Sequence, residues 1–413
     1  MGKVVVVGAG AAGLMAAGSA AEMGSQVLLL EKMGEPGRKL QIAGKGRCNL
    51  TNAGELEELI AGYPGNGSFL YSALARFNNH DLIEFFHALG VPTKVERGRR
   101  VFPRSDDAQQ VVDALRRWVE NLGVEIEYHC PVRELIVEGG QMVGVRTDGG
   151  EVLASRVILA TGGSSYPGTG STGDGYRMAQ AVGHRVIPLR PALVPLRAST
   201  PWVRGLQGLS LRNVQVTLRA GQRILASQFG EMLFTHFGVS GPIVLTISRE
   251  ALDYWLQSPG RVLDLLIDLK PALDRETLDR RVQRDLQKHG RKQLNNSLDD
   301  LLPKALIPVI IEEAGLNPRK TANQVNREER ARLVSVLKEL PVEITGSLPL
   351  AAAIVTAGGV CVREVDPRRM ESKLISGLYF AGEVLDIDGI TGGYNLQAAF
   401  STGRLAGWSA GGM

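Results

Sequence analysis

The chain opens on an unbroken apolar run, Val4-Val5-Val6-Val7, and a second run, Val27-Leu28-Leu29-Leu30, follows an alanine-rich stretch. Short continuous apolar runs of this kind read as strands buried on both faces of a parallel sheet. Between them lies Gly8-Ala9-Gly10-Ala11-Ala12-Gly13, and the second run ends at Glu31. The order predicted is strand, glycine turn, helix, strand, acidic residue. After Cys130 the pattern becomes alternating. Residues 132–137, 142–147 and 152–159 predict three strands of a meander, separated by Gly139-Gly140 and Asp148-Gly149-Gly150 turns. The third runs into Ala160-Thr161-Gly162-Gly163, and a helix is expected over 176–182 with Asp174 as its N-cap.

Composition shifts at Pro188, Pro191 and Pro195. Short alternating runs at 214–218, 224–226, 243–246 and 262–269 then predict a small β-barrel or sandwich. From Pro271 to Leu340 the pattern is helical with dense charge, and after Pro341 the glycine-rich apolar pattern resumes. It includes a strand at 377–380 and a glycine loop opening a helix near Gly393. A meander returning to the parallel sheet at Ala160-Thr161-Gly162-Gly163, together with the glycine turns at both ends of the chain, is a flavoprotein feature. The expected architecture is therefore α/β: a Rossmann-like FAD-binding domain (1–190 and 342–413) interrupted by an inserted β-barrel domain (191–270) and a small helical cap domain (271–341).

At 413 residues the chain exceeds one ordinary core, which fits this division. Hydrophobic content of 44% with 22% charged residues is that of a soluble globular protein. The glycines within 4–21 and the Glu31-ended strand after it exclude a signal peptide or membrane span there, so a cytoplasmic protein with no membrane association is expected. The 3 cysteines, Cys48, Cys130 and Cys361, are odd in number and far apart, and the histidines show no ligand spacing. No disulfide framework and no metal are expected. Net charge is unevenly placed: 23 Lys and Arg stand against 17 Asp and Glu from Arg190 to Glu343, and 24 against 26 elsewhere. A basic insert could attract a polyanionic partner, while charge alone favours an ordinary solvated helical surface.

The chemistry follows from the glycine turn. Gly8 permits the turn, Gly10 lets backbone amides approach a pyrophosphate, and Gly13 lets helix pack on strand. Glu31 stands where a carboxylate accepts hydrogen bonds from an adenosine ribose. Lys32 is either a neighbour of the adenine or a solvated residue. Val132, heading the meander, offers backbone groups to the adenine edge, and Thr161, Gly162 and Gly163 should pass close to the pyrophosphate. Gly382 and Glu383 should reach the ribityl chain. Gly393, Asn395, Leu396 and Gln397 open a helix whose free amides suit the pyrimidine end of an isoalloxazine. Arg47, Cys48 and Asn49 form a polar loop expected at flavin or substrate. Cys48 is a candidate proton donor, with a small buried packing cysteine as its alternative. His236 is a second candidate acid, with a structural histidine as its alternative. There is no second glycine-turn unit, so any nicotinamide must visit the flavin transiently, or the electrons must come from elsewhere.

Taken together, Gly37-Arg38-Lys39-Leu40, Gly44-Lys45-Gly46-Arg47-Cys48-Asn49-Leu50-Thr51-Asn52, 233–242, 355–360 and Gly382-Glu383-Val384-Leu385-Asp386 through Gln397 resemble the BaiN/RdsA-type (YhiN-like) family of bacterial flavoproteins over essentially the whole chain. Lys45 departs from it, standing where glycine is common. The resemblance implies non-covalent FAD, with Ala12, Arg38, Lys39 and Asp386 among the residues around it, and NAD(P)H as reductant. It implies hydride transfer at flavin N5. The leading substrate is a uridine of 23S ribosomal RNA, reduced to dihydrouridine. The alternatives are a bile-acid-type enone or an aminoacetone-type amine, and a non-catalytic flavin-bound module.

Overall fold

Val4–Val7 forms the first strand of a seven-stranded sheet, with all four valines buried. Val27–Leu30 lies parallel to it on one side and Arg156–Leu159 on the other. Glu125–Glu127 extends the sheet beyond Val27–Leu30, and Leu378–Phe380 beyond Arg156–Leu159. The strand order therefore reverses direction between Val4–Val7 and Arg156–Leu159. In an open α/β sheet, ligands bind at the carboxyl ends of the strands flanking such a switch point. The computed structural model describes residues 2–412.

The helix Ala11–Glu22 follows the first strand and packs against the C-terminal helix Tyr394–Gly411. The approach is close because the facing residues are small. A Cβ on Gly403 would stand 2.4 Å from the Ala12 carbonyl oxygen, and one on Gly407 would stand 2.4 Å from that of Ala16. The meander forms its own antiparallel sheet of Val132–Glu138, Gln141–Thr147 and Gly150–Leu153. The expected single strand 152–159 is two: the chain leaves the meander at Ala154-Ser155 and enters the parallel sheet at Arg156.

Two compact units result, one running to Ala192 and resuming at Leu350, the other spanning Leu193–Pro349. The second contains a closed barrel of Leu196–Ala198, Gly238–Ser240, Arg223–Thr235, Ser210–Ala220, Leu263–Asp268 and Leu340–Ser347. Its sixth strand thus comes from residues beyond the helical segment, so the boundary expected at 341/342 falls inside a barrel strand. The boundary expected at 270/271 separates no core either. Leu278, Val282 and Leu286 of the helix Arg275–Lys288 bury themselves in the same cluster as Leu263, Ile267 and Leu340 of the barrel. The strand expected at 243–246 is instead the start of the helix Pro242–Gln257. Pro242 fits the first helical position, and Ile243, Val244, Ile247 and Ala251 repeat at helical spacing and are buried. Among the described residues, no helix is long and apolar enough to cross a membrane.

Candidate functional site

The glycine turn closes as its spacing requires. Gly8 has φ of 100°, and a Cβ there would stand 2.7 Å from the Ala160 carbonyl oxygen. A Cβ on Gly13 would stand 1.7 Å from the Gly8 carbonyl oxygen, so helix and turn are in direct contact. Gly10 differs: a Cβ there meets no atom within 4 Å. That open space lies at the N-cap of Ala11–Glu22, a helix with no side-chain cap. Its first backbone amides are therefore left for an acceptor from outside the chain, as a pyrophosphate would be.

Glu31, 9% exposed, ends the second strand with both carboxylate oxygens engaged. The Ala9 N–H donates to Oε2 at 2.7 Å and the Met33 N–H to Oε1 at 2.8 Å. Each oxygen keeps a second lone pair, enough to accept from two ribose hydroxyls. Beside it, Lys32 is turned away from an adenine role. Its ammonium donates to Thr172 Oγ1 at 2.6 Å and pairs with the Asp174 carboxylate. Asp174 is thus the first residue of the helix Asp174–Ala181, whose N-cap is Gly173. Thr161 Oγ1 is buried and has no hydrogen-bond partner. With Gly162 (φ 73°) next to it, this orphaned hydroxyl fits a polar ligand at the end of Arg156–Leu159.

Four segments meet at Glu383. Its Oε2 accepts from Lys39 Nζ at 2.7 Å, and its Oε1 accepts from the Thr356 N–H at 2.8 Å and from Ser165 Oγ at 3.3 Å. Lys39 also donates to Ser165 Oγ at 2.7 Å, and the Ser164 N–H donates to Thr356 Oγ1 at 2.9 Å. A Cβ on Gly163 would strike Thr356 Oγ1 and Glu383 Oε1 at 2.5 and 2.7 Å. Lys39 and Glu383, both among the expected site residues, are thereby brought together. The roles of Ser165 and the Thr356 hydroxyl were missed. Two serines directly after Gly162-Gly163 were the available signal. Gly382 donates its N–H to Thr402 Oγ1 at 2.9 Å, and a Cβ on it would stand 2.7 Å from that of Ala12, so these two expected residues also meet.

Near the start of Tyr394–Gly411 the expected polar ligands serve the fold. Gly393 is the N-cap, and a Cβ on it would stand 2.3 Å from the backbone of Thr51. The Asn49 amide, oriented as its neighbours require, donates to the Thr51 and Val101 carbonyls and accepts from the Gly393 N–H at 2.9 Å. Gln397 is fully buried. It accepts from Thr51 Oγ1 at 2.5 Å and donates to Ser401 Oγ at 2.8 Å, so its side chain does not reach out to a flavin. Asn395 holds the preceding loop, accepting from the Gly389 N–H at 2.8 Å and donating to that residue's carbonyl at 2.9 Å. Leu396 offers its first-turn N–H and no polar side chain. What this helix start presents outward is backbone.

The remaining candidates are also held by the protein itself. Arg47 pairs with Glu96 at 2.8 Å and Asp106 at 3.2 Å and lies over the Phe102 ring at 4.0 Å. Arg38 pairs with Glu35 at 3.7 Å, and Asp386 accepts from Asn66 Nδ2 at 2.9 Å. Val132 is buried and pairs with Thr147 across the meander. Cys48 is fully buried with φ of 58°, and burial pushes its thiol up to about 12. A proton donor poised near neutrality is not what this environment makes. His236 sits in the turn between Arg223–Thr235 and Gly238–Ser240, exposed and edge-on to Phe237 at 5.0 Å. It belongs to the second unit.

Residues 2–409 match the family described as HI0933-like protein Rossmann domain. The chain belongs to this family. It is 35% identical to a ribosomal RNA dihydrouridine synthase of Escherichia coli, over 96% of this chain and 95% of that one. It is 33% identical to the Haemophilus influenzae protein of the same name, over 96% of both. A 3-dehydro-bile acid delta(4,6)-reductase of Clostridium scindens is 34% identical over 99% of both chains. Among solved structures, the 3-ketosteroid-delta4-(5alpha)-dehydrogenase of Rhodococcus jostii RHA1 shares the fold at TM-score 0.53 and 18% identity, covering 99% of this chain and 96% of that one. The chain is an FAD-dependent oxidoreductase, and the glycine turn, Glu31 and the Thr161 hydroxyl fit FAD.

Proposed function

We propose that this protein reduces the C5=C6 bond of a uridine in 23S ribosomal RNA, giving dihydrouridine. The carrying observation is the pair of relatives named ribosomal RNA dihydrouridine synthase, which this chain matches at 35% and 33% identity over nearly its whole length. FAD, when bound, supplies the hydride, which goes to one carbon of the double bond while a proton goes to its neighbour. NAD(P)H supplies the electrons, visiting in turn with the RNA because the chain has one nucleotide-binding turn.

The residues divide the work. The turn at Gly8, Gly10 and Gly13 with the amides of Ala11–Glu22 holds the pyrophosphate, and Glu31 holds the ribose. The backbone at the start of Tyr394–Gly411 faces the ring with partial positive charge, which favours electron-rich reduced flavin. The Lys39–Glu383 pair fixes the strand ends around it. Cys48 packs and does not donate, so the proton comes from water. The reading is tested by mapping dihydrouridine in ribosomal RNA of a strain lacking this protein. Loss of one dihydrouridine and its return on re-expression are expected, and an unchanged map rules the reading out.

A second reading has its own support: the bile-acid reductase relative, at 34% identity over 99% of both chains, favours a small enone reduced by the same hydride chemistry. Turnover of such an enone without RNA, in a protein whose absence leaves the ribosomal RNA unchanged, decides for it.

A further inference from the structure

We propose that Arg280, Arg284, Arg291, Lys292 and Arg319 form an RNA-docking face that grips phosphates, an inference that rests on the ribosomal RNA reading above. Residues 280–292 carry 6 Lys and Arg and a single acid, Asp285. In the helix Arg275–Lys288 the buried side chains are Leu278, Val282, Asp285 and Leu286, while Arg280 and Arg284, four apart and both exposed, share the outer face. Backbone pairing then adds to them a segment distant in sequence. The Leu294 N–H donates to the Lys320 carbonyl at 2.8 Å, the Ala322 N–H to that of Lys292 at 2.9 Å, and the Asn323 N–H to that of Gly290 at 3.2 Å. Arg291-Lys292 and Arg319-Lys320 are thus on adjoining strands of chain.

Internal pairing leaves much of this charge unspent. Asp300 takes Lys288 at 2.7 Å and His289 at 3.0 Å, Glu329 takes Lys320 at 2.7 Å, and Asp285 takes Arg281 at 3.6 Å. Arg284 is left with Asp285 at 3.9 Å and Arg280 with the Thr277 hydroxyl at 3.4 Å. Arg291, Lys292 and Arg319 are exposed, with no side-chain hydrogen bond or ion pair among the described residues. The exposed acids Glu276 and Asp299 lie on the same segments and only partly offset this excess.

The chemistry of the face selects the partner. None of the large exposed apolar side chains of the described residues lies between 271 and 341. A membrane-lying helix needs an apolar face to insert, and a protein interface needs aromatic or aliphatic anchors. Guanidinium forks without aromatics suit phosphate oxygens and have nothing on which to stack a base. The contacts therefore give affinity and orientation without sequence choice.

The test uses the full-length, flavin-loaded protein and a transcribed 23S ribosomal RNA domain, with binding followed by fluorescence anisotropy over a range of salt. The triple variant R291E/K292E/R319E should bind at least tenfold more weakly. Its log–log salt slope should fall by about 2, from the counterions released by three phosphate contacts. The control R212E/R223E/R261E makes the same charge change at exposed barrel positions and should bind within about twofold of wild type. In RNA reduction, KM should rise for the first variant while kcat at saturating RNA holds, and flavin content should match wild type. Wild-type binding by R291E/K292E/R319E, or an equal loss in both variants, overturns the proposal. So does selective loss of binding to phosphatidylserine vesicles with RNA binding intact. A protein that makes dihydrouridine but does not need this face refutes the docking inference alone. One that docks RNA here but makes no dihydrouridine refutes the uridine reading instead.

Discussion

At the scale of single residues, two glycines three positions apart, Gly10 and Gly13, have opposite duties, and substitution separates them. Gly10 has open space where a side chain would go, whereas a Cβ on Gly13 would stand 1.7 Å from the Gly8 carbonyl. Gly10→Val should therefore fold with the melting temperature of flavin-free wild type and lack the visible flavin absorbance. Gly13→Ala should lose stability by at least the roughly 1–3 kcal/mol of ordinary overpacking. Full flavin occupancy in Gly10→Val would defeat the pyrophosphate assignment. A second prediction concerns Cys48. Its thiol ionises at about 12 in the folded protein against an ordinary 9.0, so the folded state keeps a proton that the unfolded state loses. The resulting stability is fully present below about pH 9 and is lost as pH rises toward 12. At about pH 10.5 wild type should have lost on the order of 2 kcal/mol that Cys48→Ala does not lose, measured by urea unfolding at each pH. In the same folded protein, iodoacetamide near neutrality should label Cys130 or Cys361, both partly exposed, before Cys48. The close packing of Gly8 and Gly13 was legible in the sequence because it is set by neighbours within one turn and two strands. Arg47, Asn49 and Lys32 were not, since their partners Glu96, Gly393 and Asp174 are far along the chain.

Secondary-structure elements were legible where one period dominates. The two apolar runs became parallel strands, and the glycine loop before Tyr394 became a helix start. Residues 243–246 failed because Ile, Val, Leu and Thr suit a strand as well as a buried helical face, and only Pro242 with the spacing to Ala251 decides between them. The C-terminal helix shows a different limit. A polar residue at a helix start can face a ligand or anchor the helix, and the sequence pattern is the same for both. In Gln397 the second holds: its amide joins the Thr51 hydroxyl, the Ser401 hydroxyl and the Phe77 carbonyl inside the protein. Gln397→Ala should cost about 1–3 kcal/mol, the usual penalty for leaving buried polar partners unsatisfied. Turnover at saturating flavin should stay within about twofold. A variant of unchanged stability but shifted flavin spectrum would return Gln397 to the flavin.

On the scale of the whole molecule, the insertion was visible as a change of composition, but its end was not. The barrel's closing strand, Leu340–Ser347, comes after the helices, and only pairing with Leu263–Asp268 and Leu196–Ala198 reveals where it belongs. The same topology makes the insertion separable. Val186–Ala192 and Val355–Val360 are antiparallel neighbours with Ala192 opposite Val355, so the chain leaves and re-enters the flavin unit at one end of a two-stranded sheet. The core of that unit draws only on residues outside 193–349, and the barrel with its helices has a core of its own. Replacing residues 193–354 by a two-residue Asn-Gly turn should convert this pair into a hairpin, the connection that neighbouring antiparallel strands accept most readily. The shortened protein should be yellow and release FAD on denaturation, because Gly10, Glu31 and the start of Tyr394–Gly411 all remain. It should bind ribosomal RNA poorly and make no dihydrouridine. Residues 193–349 expressed alone should unfold cooperatively and carry no flavin. If the shortened protein is folded by circular dichroism yet colourless, part of the flavin site lies in the insertion, and the assignment of FAD binding to the first unit fails.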